Sequence, residues 1–488
     1  MNKVIKINRR QFNYSILAAS TYSLAGKKVN ASEKTDVIII GAGLAGLNAA
    51  LNLEAEGYRV LVLEGEDYVG GRVKTLDLPN GKINLGGQTI GPYYARVRDI
   101  ASRLSVPLVA PPSRIKMGNF INGQLVSDEN WSRSKANKTI GTEREVQPAG
   151  LEYHYLSKNN PLPDVESWIS PSMSKFDIPI YQHLKNSGAS EEALRIISVT
   201  ANVQSIHSAS ALAYLRDLKR LEWGIPKSDD ENTTLYSVSS KDGLTFNEVE
   251  GGTQRLTEAM ASALKGEVRL NQIVRKIGMT KQSCEVVAID GTRYTSRYVI
   301  SAVPFSALRK IEVSPGFPKI QKDSINYSSH SNTLRVFLEF SSPFWDDDIG
   351  TPGLYSDTSI ERVFARRVGG EEISILDCWV NGNGAYRLDQ LSKTDLGEFV
   401  IKMLEKIRPS TKGKLRMVHM HSWSKSSLSG CCRHVYDAGQ IKDWSQVVSQ
   451  SHNRLYLAGE QTRSIENGME AAAKSGERAA FEIMENDS

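Results

Sequence analysis

Three glycines and one acid carry the most readable chemistry in this chain of 488 residues. Gly41, Gly43 and Gly46 form G-x-G-x-x-G directly after Asp36-Val-Ile-Ile-Ile40, and Glu64 follows further along. The first glycine permits a tight turn and the second lets a pyrophosphate approach the backbone. The third lets a helix pack on a strand. A helix opening there points free N–H groups and its positive dipole end at phosphates. An acid about 20 residues on accepts hydrogen bonds from ribose hydroxyls. The expected chemistry is dinucleotide binding, with Ala45 as a further contact within the turn. A second glycine pair and a cation follow, Gly70-Gly71-Arg72.

These residues need particular elements to hold them. Val37 to Ile40 is an apolar, β-branched run and reads as a buried parallel strand. A helical run follows, then a second strand, Val60 to Leu63, ending at Glu64. Lys82 to Gln88 reads as a short strand entering a glycine turn at Gly86-Gly87. Gly91-Pro92 and a helix from Tyr94 to Leu104 come next. Residues 123–165 are polar with little periodicity and read as a loop-rich insertion without a functional reading. Helical spacing returns over Met173 to Ser187, Ser190 to Asn202 and Ser208 to Arg220, with Ser190 placed as an N-cap. Val249 to Gly252 precedes a helix to Leu264. Glu267 to Val274 and Tyr298 to Pro304 read as strand segments. Leu334 to Phe340, Arg362 to Arg367 and Ile373 to Val380 are strand-like, and Asp395 to Ile407 is an amphipathic helix. His452 to Glu460 is a strand running into Gly459-Glu460, and Asn467-Gly468-Met469-Glu470 opens a final helix.

Taken together, the acid followed by Gly-Gly-Arg, the turn Leu85-Gly86-Gly87 with Gly91-Pro92, the strand before Pro343-Phe344-Trp345, and Ala458-Gly459-Glu460 resemble the flavin amine oxidase family. The resemblance covers nearly everything from Asp36 to Met484. It implies an α/β (mixed α+β) fold, with a Rossmann-like FAD-binding domain and a second substrate domain of mixed sheet and helices. Residues 36–113, 249–310 and 416–485 would build the FAD-binding domain. Residues 114–248 would build the helical part of the substrate domain and 311–415 its sheet part. The cofactor implied is FAD, held by Gly41, Gly43, Ala45, Gly46, Glu64, Gly71, Arg72, Gly87, Gln88, Val274, Cys432, Gly459, Glu460 and Met469. In the family the Gly86-Gly87 turn lies beside the isoalloxazine ring, where a side chain would collide with the flavin. The final helix points its N-terminus at the ring's pyrimidine end. No metal is expected.

The match weakens at the reacting centre. The family's usual lysine near flavin N5 corresponds here to Arg335, which keeps the charge and cannot serve as a base. Counting from Trp423, the first aromatic-cage position corresponds to Arg433 and the second falls near Gly468. Arg335, Trp423 and Arg433 are the candidate catalytic residues. An inward-facing Arg433 would receive a carboxylate bidentately; an outward-facing one would do nothing. Ser429-Gly430-Cys431-Cys432 resembles the segment that carries covalent flavin in monoamine oxidases. Attachment through Cys432 is one reading, an inert cysteine the favoured one. Cys284 and Cys378 read as small apolar residues on strands.

Composition sets further bounds. Charged residues make up 24% of the chain and the formal charge is +5. Lys3, Lys6, Arg9, Arg10, Lys27 and Lys28 lie in residues 1–31, and without them the body is near neutral, which gives nucleic-acid binding no support. Asn8-Arg9-Arg10-Gln11-Phe12, the apolar stretch to Ala25 and Val29-Asn30-Ala31 resemble a twin-arginine export signal over residues 1–31. The expected location is periplasmic or exported, with the cytoplasm as alternative. No transmembrane run is present. The expected activity is oxidative deamination of a small-molecule amine or amino acid, with O2 or an electron carrier as acceptor. An amine dehydrogenase, an L-amino acid oxidase and a non-catalytic flavin-binding assembly partner are the alternatives; a desaturase or porphyrinogen oxidase is less favoured.

Overall fold

The computed structural model describes residues 35–79, 81–112, 115–158, 160–222 and 246–487. The export signal read over residues 1–31 and the 113/114 boundary lie outside them. Strand β1 (Thr35–Ile40) leads into helix α1 (Leu44–Ala55), and strand β2 (Val60–Leu63) returns beside β1 in parallel. The β-branched side chains of β1 alternate between two apolar cores, as a strand's period of two requires. Val37 and Ile39 face one core, and Ile38 and Ile40 the other. The sheet order is Glu312–Ser314, Val274–Met279, Cys284–Ala288, Arg293–Ser301, β1, β2, Glu267–Arg269. Leu455–Leu457 pairs in parallel with the far half of Arg293–Ser301. The 36–113, 249–310 and 416–485 segments therefore meet in one sheet, whose central strands end toward the glycine turn.

A second sheet of seven strands carries the other half. Strand β3 (Thr333–Phe340) lies antiparallel between β4 (Ile373–Asn381) and β5 (Leu415–Ser422). Arg362–Arg367, Gly353–Ser356, Met117–Ile121 and Gln124–Val126 extend it outward from β4. This shifts two sequence boundaries, and Glu312–Ser314, expected in the substrate sheet, shifts a third by pairing in parallel with Val274–Met279 in the first sheet. β5 belongs to the substrate sheet although most of it lies past residue 415, because its backbone pairs with β3. Met117–Ile121, read as part of the helical segment, pairs in parallel with Gly353–Ser356. The final helix, α2 (Gly468–Asp487), packs across α1. A Cβ on Gly476 would lie 2.1 Å from the Ala45 carbonyl oxygen, so only glycine permits this approach.

The helical segment is more finely divided than its periodicity predicts. Pro179 caps a helix at Ile180–Asn186, and the residues before it form a 3-10 turn, Pro171–Phe176. Proline cannot donate within a helix, which breaks the longer run. Ser190 caps Glu191–Thr200 by accepting from the Ala193 N–H. Residues 123–158 are packed rather than loose. Trp131 is fully buried and donates to the Val146 carbonyl at 2.8 Å. Glu143 accepts the Ser190 N–H at 2.8 Å and its hydroxyl at 2.6 Å, which ties this segment to the next helix. Among the described residues no helix is long and apolar enough to cross a membrane.

Candidate active site

One cavity of about 650 Å3 runs from the end of β1 to the edge of the substrate sheet. At its first end lies the glycine turn. Gly41 has φ +103°, in the region that favours glycine. A Cβ on Gly46 would sit 2.0 Å from the Gly41 carbonyl oxygen, so this glycine is demanded by helix–turn packing. Gly43 differs: an added Cβ would meet no protein atom closer than 3.9 Å, and Gly43 lines the cavity. Gly70 docks on this turn through its N–H to the Ala42 carbonyl at 2.9 Å. Glu64 Oε2 accepts the Ala42 N–H at 2.7 Å and Oε1 the Glu66 N–H at 2.9 Å. Burial pushes its carboxyl up while these backbone donors oppose the shift. Glu64 lines the cavity. Ala45, Gly71, Arg72 and Val274 line it as well.

The middle of the cavity is closed by residues from distant segments. Arg72 donates to the Cys432 carbonyl at 2.9 Å and pairs with Glu460 at 3.5 Å. Glu460 in turn holds Arg463 at 2.6 Å and accepts the His434 N–H at 3.2 Å. The Gly86-Gly87 turn is pressed between neighbours. A Cβ on Gly86 would fall 1.9 Å from the Arg72 carbonyl oxygen, and one on Gly87 would fall 2.9 Å from Met469 Sδ. Backbone atoms alone already impose glycine at Gly86, a constraint beyond the expected collision with a ring, whereas at Gly87 the neighbour is a flexible methionine side chain. Gly459 and Met469 line the same space. Gln88 does not: its amide donates to Glu248 at 2.7 Å, away from the cavity. Its expected place among the cofactor contacts is corrected accordingly.

The three candidate catalytic residues separate. Trp423 and Arg433 line the cavity. Trp423 is buried and donates from Nε1 to the Leu85 carbonyl at 3.1 Å. Arg335 does not line the cavity and is not solvent-facing. It is 1% exposed, sandwiched by the Phe337 and Trp379 rings, and bound bidentately by Asp377 at 3.1 and 2.5 Å. Its Nη1 donates to the Asn84 carbonyl, so it pins the strand that enters the glycine turn. The buried Asp377 carboxylate, on the adjacent strand β4, captures the guanidinium, and the expected place at the reacting centre is corrected to a supporting one. Cys432 lines the cavity and packs against the cluster of Ile83, Leu85 and Trp423. Cys431 is fully buried, 3.4 Å from the Ser306 hydroxyl, and burial pushes its thiol up.

Several lining residues escaped the sequence analysis: Tyr94, Thr333, Trp379 and Asn467. Trp379 stands opposite Arg335 in the β3–β4 register, and its Nε1 donates to Asn381 Oδ1 at 2.8 Å. Only strand pairing, invisible in a single chain, brings it there. The glycine cradle, the Glu64 carboxylate on the cavity wall and the helix N-termini at Gly43 and Gly468 fit a flavin dinucleotide.

Comparison with known proteins agrees with this architecture. The family model described as flavin-containing amine oxidoreductase matches residues 170–484, and that of the NAD(P)-binding Rossmann-like domain matches residues 39–104. Flavin-containing amine oxidase B of Homo sapiens is 25% identical over 484 residues, covering 93% of this chain and 86% of that protein. The Bos taurus enzyme of the same name is 26% identical over 479 residues, with 93% and 86% covered. Putrescine oxidase bound to putrescine superposes with TM-score 0.74 at 20% identity, covering 93% of this chain and 99% of that one. Cyclohexylamine oxidase from Brevibacterium oxydans gives 0.75 at 18%, with 93% and 99% covered. A dinucleotide cradle opening into a second-domain cavity, with a family match over most of the chain, makes this protein a member of the flavin-containing amine oxidoreductases.

Proposed function

We propose that the chain is an FAD-dependent oxidase that oxidatively deaminates a small amine, with O2 as acceptor and hydrogen peroxide as product. The observation that carries this is the continuity of the cavity: the glycine turn and the Trp379–Trp423–Arg433 wall line one space. The relatives named for amines, putrescine and cyclohexylamine support the substrate class. FAD, when bound, supplies the two-electron acceptor for the substrate C–H bond, leaving an imine that water hydrolyses.

The chain's own residues bind and orient. Gly41, Gly43, Ala45 and the α1 N-terminus would hold the diphosphate, Glu64 the ribose, and Val274 the adenine side. Gly468 and Met469 bring the positive end of α2 to the cavity, where it favours negative charge. Tyr94, Trp379 and Trp423 wall off water, which suits a neutral amine. Arg335 takes no part at the reacting atoms. Cys432 packs in an apolar cluster, and the cofactor is held without a covalent bond.

Anaerobic titration of the yellow protein with amines tests this. Bleaching by an amine, then rapid return of colour in air with peroxide formed, is the expected result. Colour that returns only with a dye or carrier protein would replace the oxidase with a dehydrogenase. No bleaching by any amine or amino acid would overturn catalysis altogether. Residues 1–31 act in this reading as a twin-arginine export signal; retention of an Arg9→Lys/Arg10→Lys variant in the cytoplasm is expected, and unchanged export would refute it.

A further inference from the structure

A line of charged side chains runs behind the cavity wall and ties the helical segment to the last segment of the chain. The helix Ala211–Leu221 carries Arg216 and Asp217 side by side. Arg216 is fully buried, its guanidinium carbon 4.2 Å from the centroid of the Trp168 ring. Its Nε and Nη2 donate to Asp217 Oδ1 at 3.1 and 2.8 Å, and its Nη1 donates to the Ser464 carbonyl at 3.3 Å. Asp217 Oδ2 lies 3.8 Å from Arg463 Nη2 and accepts from the Asn467 amide at 3.4 Å. Arg463 Nη1 donates to Glu460 Oε1 at 2.6 Å and to Asn467 Oδ1 at 2.9 Å. Glu460 continues the line to Arg72 at 3.5 Å. Arg72, Glu460, Asn467 and Gly468 all line the cavity.

Asn467 is held by charges of opposite sign. Its oxygen faces Arg463 and also accepts the Gly468 N–H at 2.8 Å, while its NH2 group faces Asp217. Turning the amide over would set its NH2 against two donors and its oxygen against a carboxylate, so one orientation is fixed. The start of α2 is thereby anchored at the cavity wall. The charges along the line do not cancel. Three arginines, Arg72, Arg216 and Arg463, meet two carboxylates, Glu460 and Asp217. Burial pushes the Asp217 carboxyl up, but the charges of Arg216, Arg463 and Arg433 outweigh it and hold it down at about 2, so it is ionised at neutral pH. One positive charge is left over and adds to the positive end of α2. A ring that takes up electrons in this cavity gains negative charge, and fixed positive charge favours that form.

We propose that Asp217 is a positioning residue for the flavin: it sets the direction of the Asn467 amide and, by cancelling one arginine charge, sets the reduction potential of the bound ring. The proposal rests on the FAD reading above and needs no particular substrate.

The test uses holoenzyme without substrate. Equilibration with a reference dye during slow anaerobic reduction reads the two-electron potential, and reconstitution titration reads FAD affinity. Asp217→Asn removes one negative charge. At a fixed poise the ratio of reduced to oxidised flavin should rise about tenfold, the order that one unit charge exerts across a partly buried site. That ratio is an upward shift of about 30 mV. Asp217→Glu keeps the charge and should stay near the unaltered value. Asn467→Ala removes the anchor and keeps every charge, so weaker FAD binding with a much smaller change in potential is expected. Arg216→Gln deletes a positive charge and should shift the potential downward, which keeps the test decisive if Asp217→Asn does not fold. A lowered thermal midpoint with the potential unmoved in the Asp217 and Arg216 variants would leave Asp217 a structural tie and overturn the role. Equal shifts for Asp217→Asn and Asp217→Glu would overturn the charge argument. A purified chain with no flavin band that FAD cannot restore would instead overturn the cofactor reading itself.

Discussion

Asp377→Asn tests whether Arg335 is a support or a participant in the chemistry. Asp377 is fully buried and binds Arg335 through both oxygens, with Arg366 on the same carboxylate at 2.9 Å. Arg366 is a quarter exposed and can turn to water; Arg335, 1% exposed, cannot. The substitution therefore strands one charge in the interior, which costs about 3–5 kcal/mol. Against the roughly 5–15 kcal/mol of a typical domain, that is a large share. At about 2 °C per kcal/mol for a domain of this size, the thermal midpoint should fall by about 6 °C or more. Because Arg335 also holds the Asn84 carbonyl, the glycine turn loosens and flavin should be released earlier than in the unaltered protein. Flavin fluorescence and far-UV circular dichroism, followed together on heating, read both effects. Replacing both partners, Asp377→Leu with Arg335→Met, should recover much of the loss, since an apolar substitute for a buried pair is close to neutral. The pH dependence has a defined sign. Burial raises the Asp377 carboxyl, but the Arg335 and Arg366 charges outweigh it and hold the pKa below the ordinary value. The pair's contribution is thus present at neutral pH and lost as pH falls through that lowered pKa, and the single variant should lack this acid limb. An unchanged midpoint in Asp377→Asn would refute the buried-pair reasoning. Loss of turnover in Arg335→Met with flavin retention and midpoint intact would return Arg335 to the reacting centre.

Further outcomes follow from individual contacts. Gly46→Ala places a methyl 2.0 Å from the Gly41 carbonyl, so purified protein should carry little flavin by absorbance ratio; full loading would refute the packing constraint. Glu64→Gln turns a donor toward one of two backbone N–H groups and should weaken FAD binding by about 1–3 kcal/mol in reconstitution titrations, with equal affinity as the contrary result. Acid precipitation should leave the flavin in the supernatant, and flavin pelleting with the protein but not with Cys432→Ala would establish a covalent bond. The Glu152 carboxyl is raised by burial from 4.5 to about 7, so across that window the folded chain keeps a proton that the unfolded chain loses. Stability should therefore fall as pH rises through it. Glu152→Gln should flatten that slope in urea unfolding, and an unaltered slope would place the carboxyl in water.

Local patterns carried much of the fold. The G-x-G-x-x-G turn with its flanking strand and helix is contiguous, so its geometry follows from residues close in sequence, and the elements from Asp36 to Arg72 appear where expected. Strands such as Leu334 to Phe340 were legible from their period of two, and the Ser190 cap from its side chain. What a strand faces was not. Arg335 occupies the position of a catalytic group along the chain, yet its direction depends on Asp377 forty-two residues away and on the rings of Phe337 and Trp379. Gln88 likewise turns to Glu248 for a hydrogen bond across 160 residues.

The sequence by itself determined the dinucleotide turn, the family resemblance and the identity of the odd residues at the reacting end, because each is a matter of residue type and short spacing. Only the tertiary structure decided which of those residues reach the cavity. Pairing of β3 with β4 and β5, and the return of the last segment to the first sheet, bring Trp379, Trp423 and Arg433 from distant stretches to one cavity. Long-range pairing and burial set such contacts, and neither is written in local spacing.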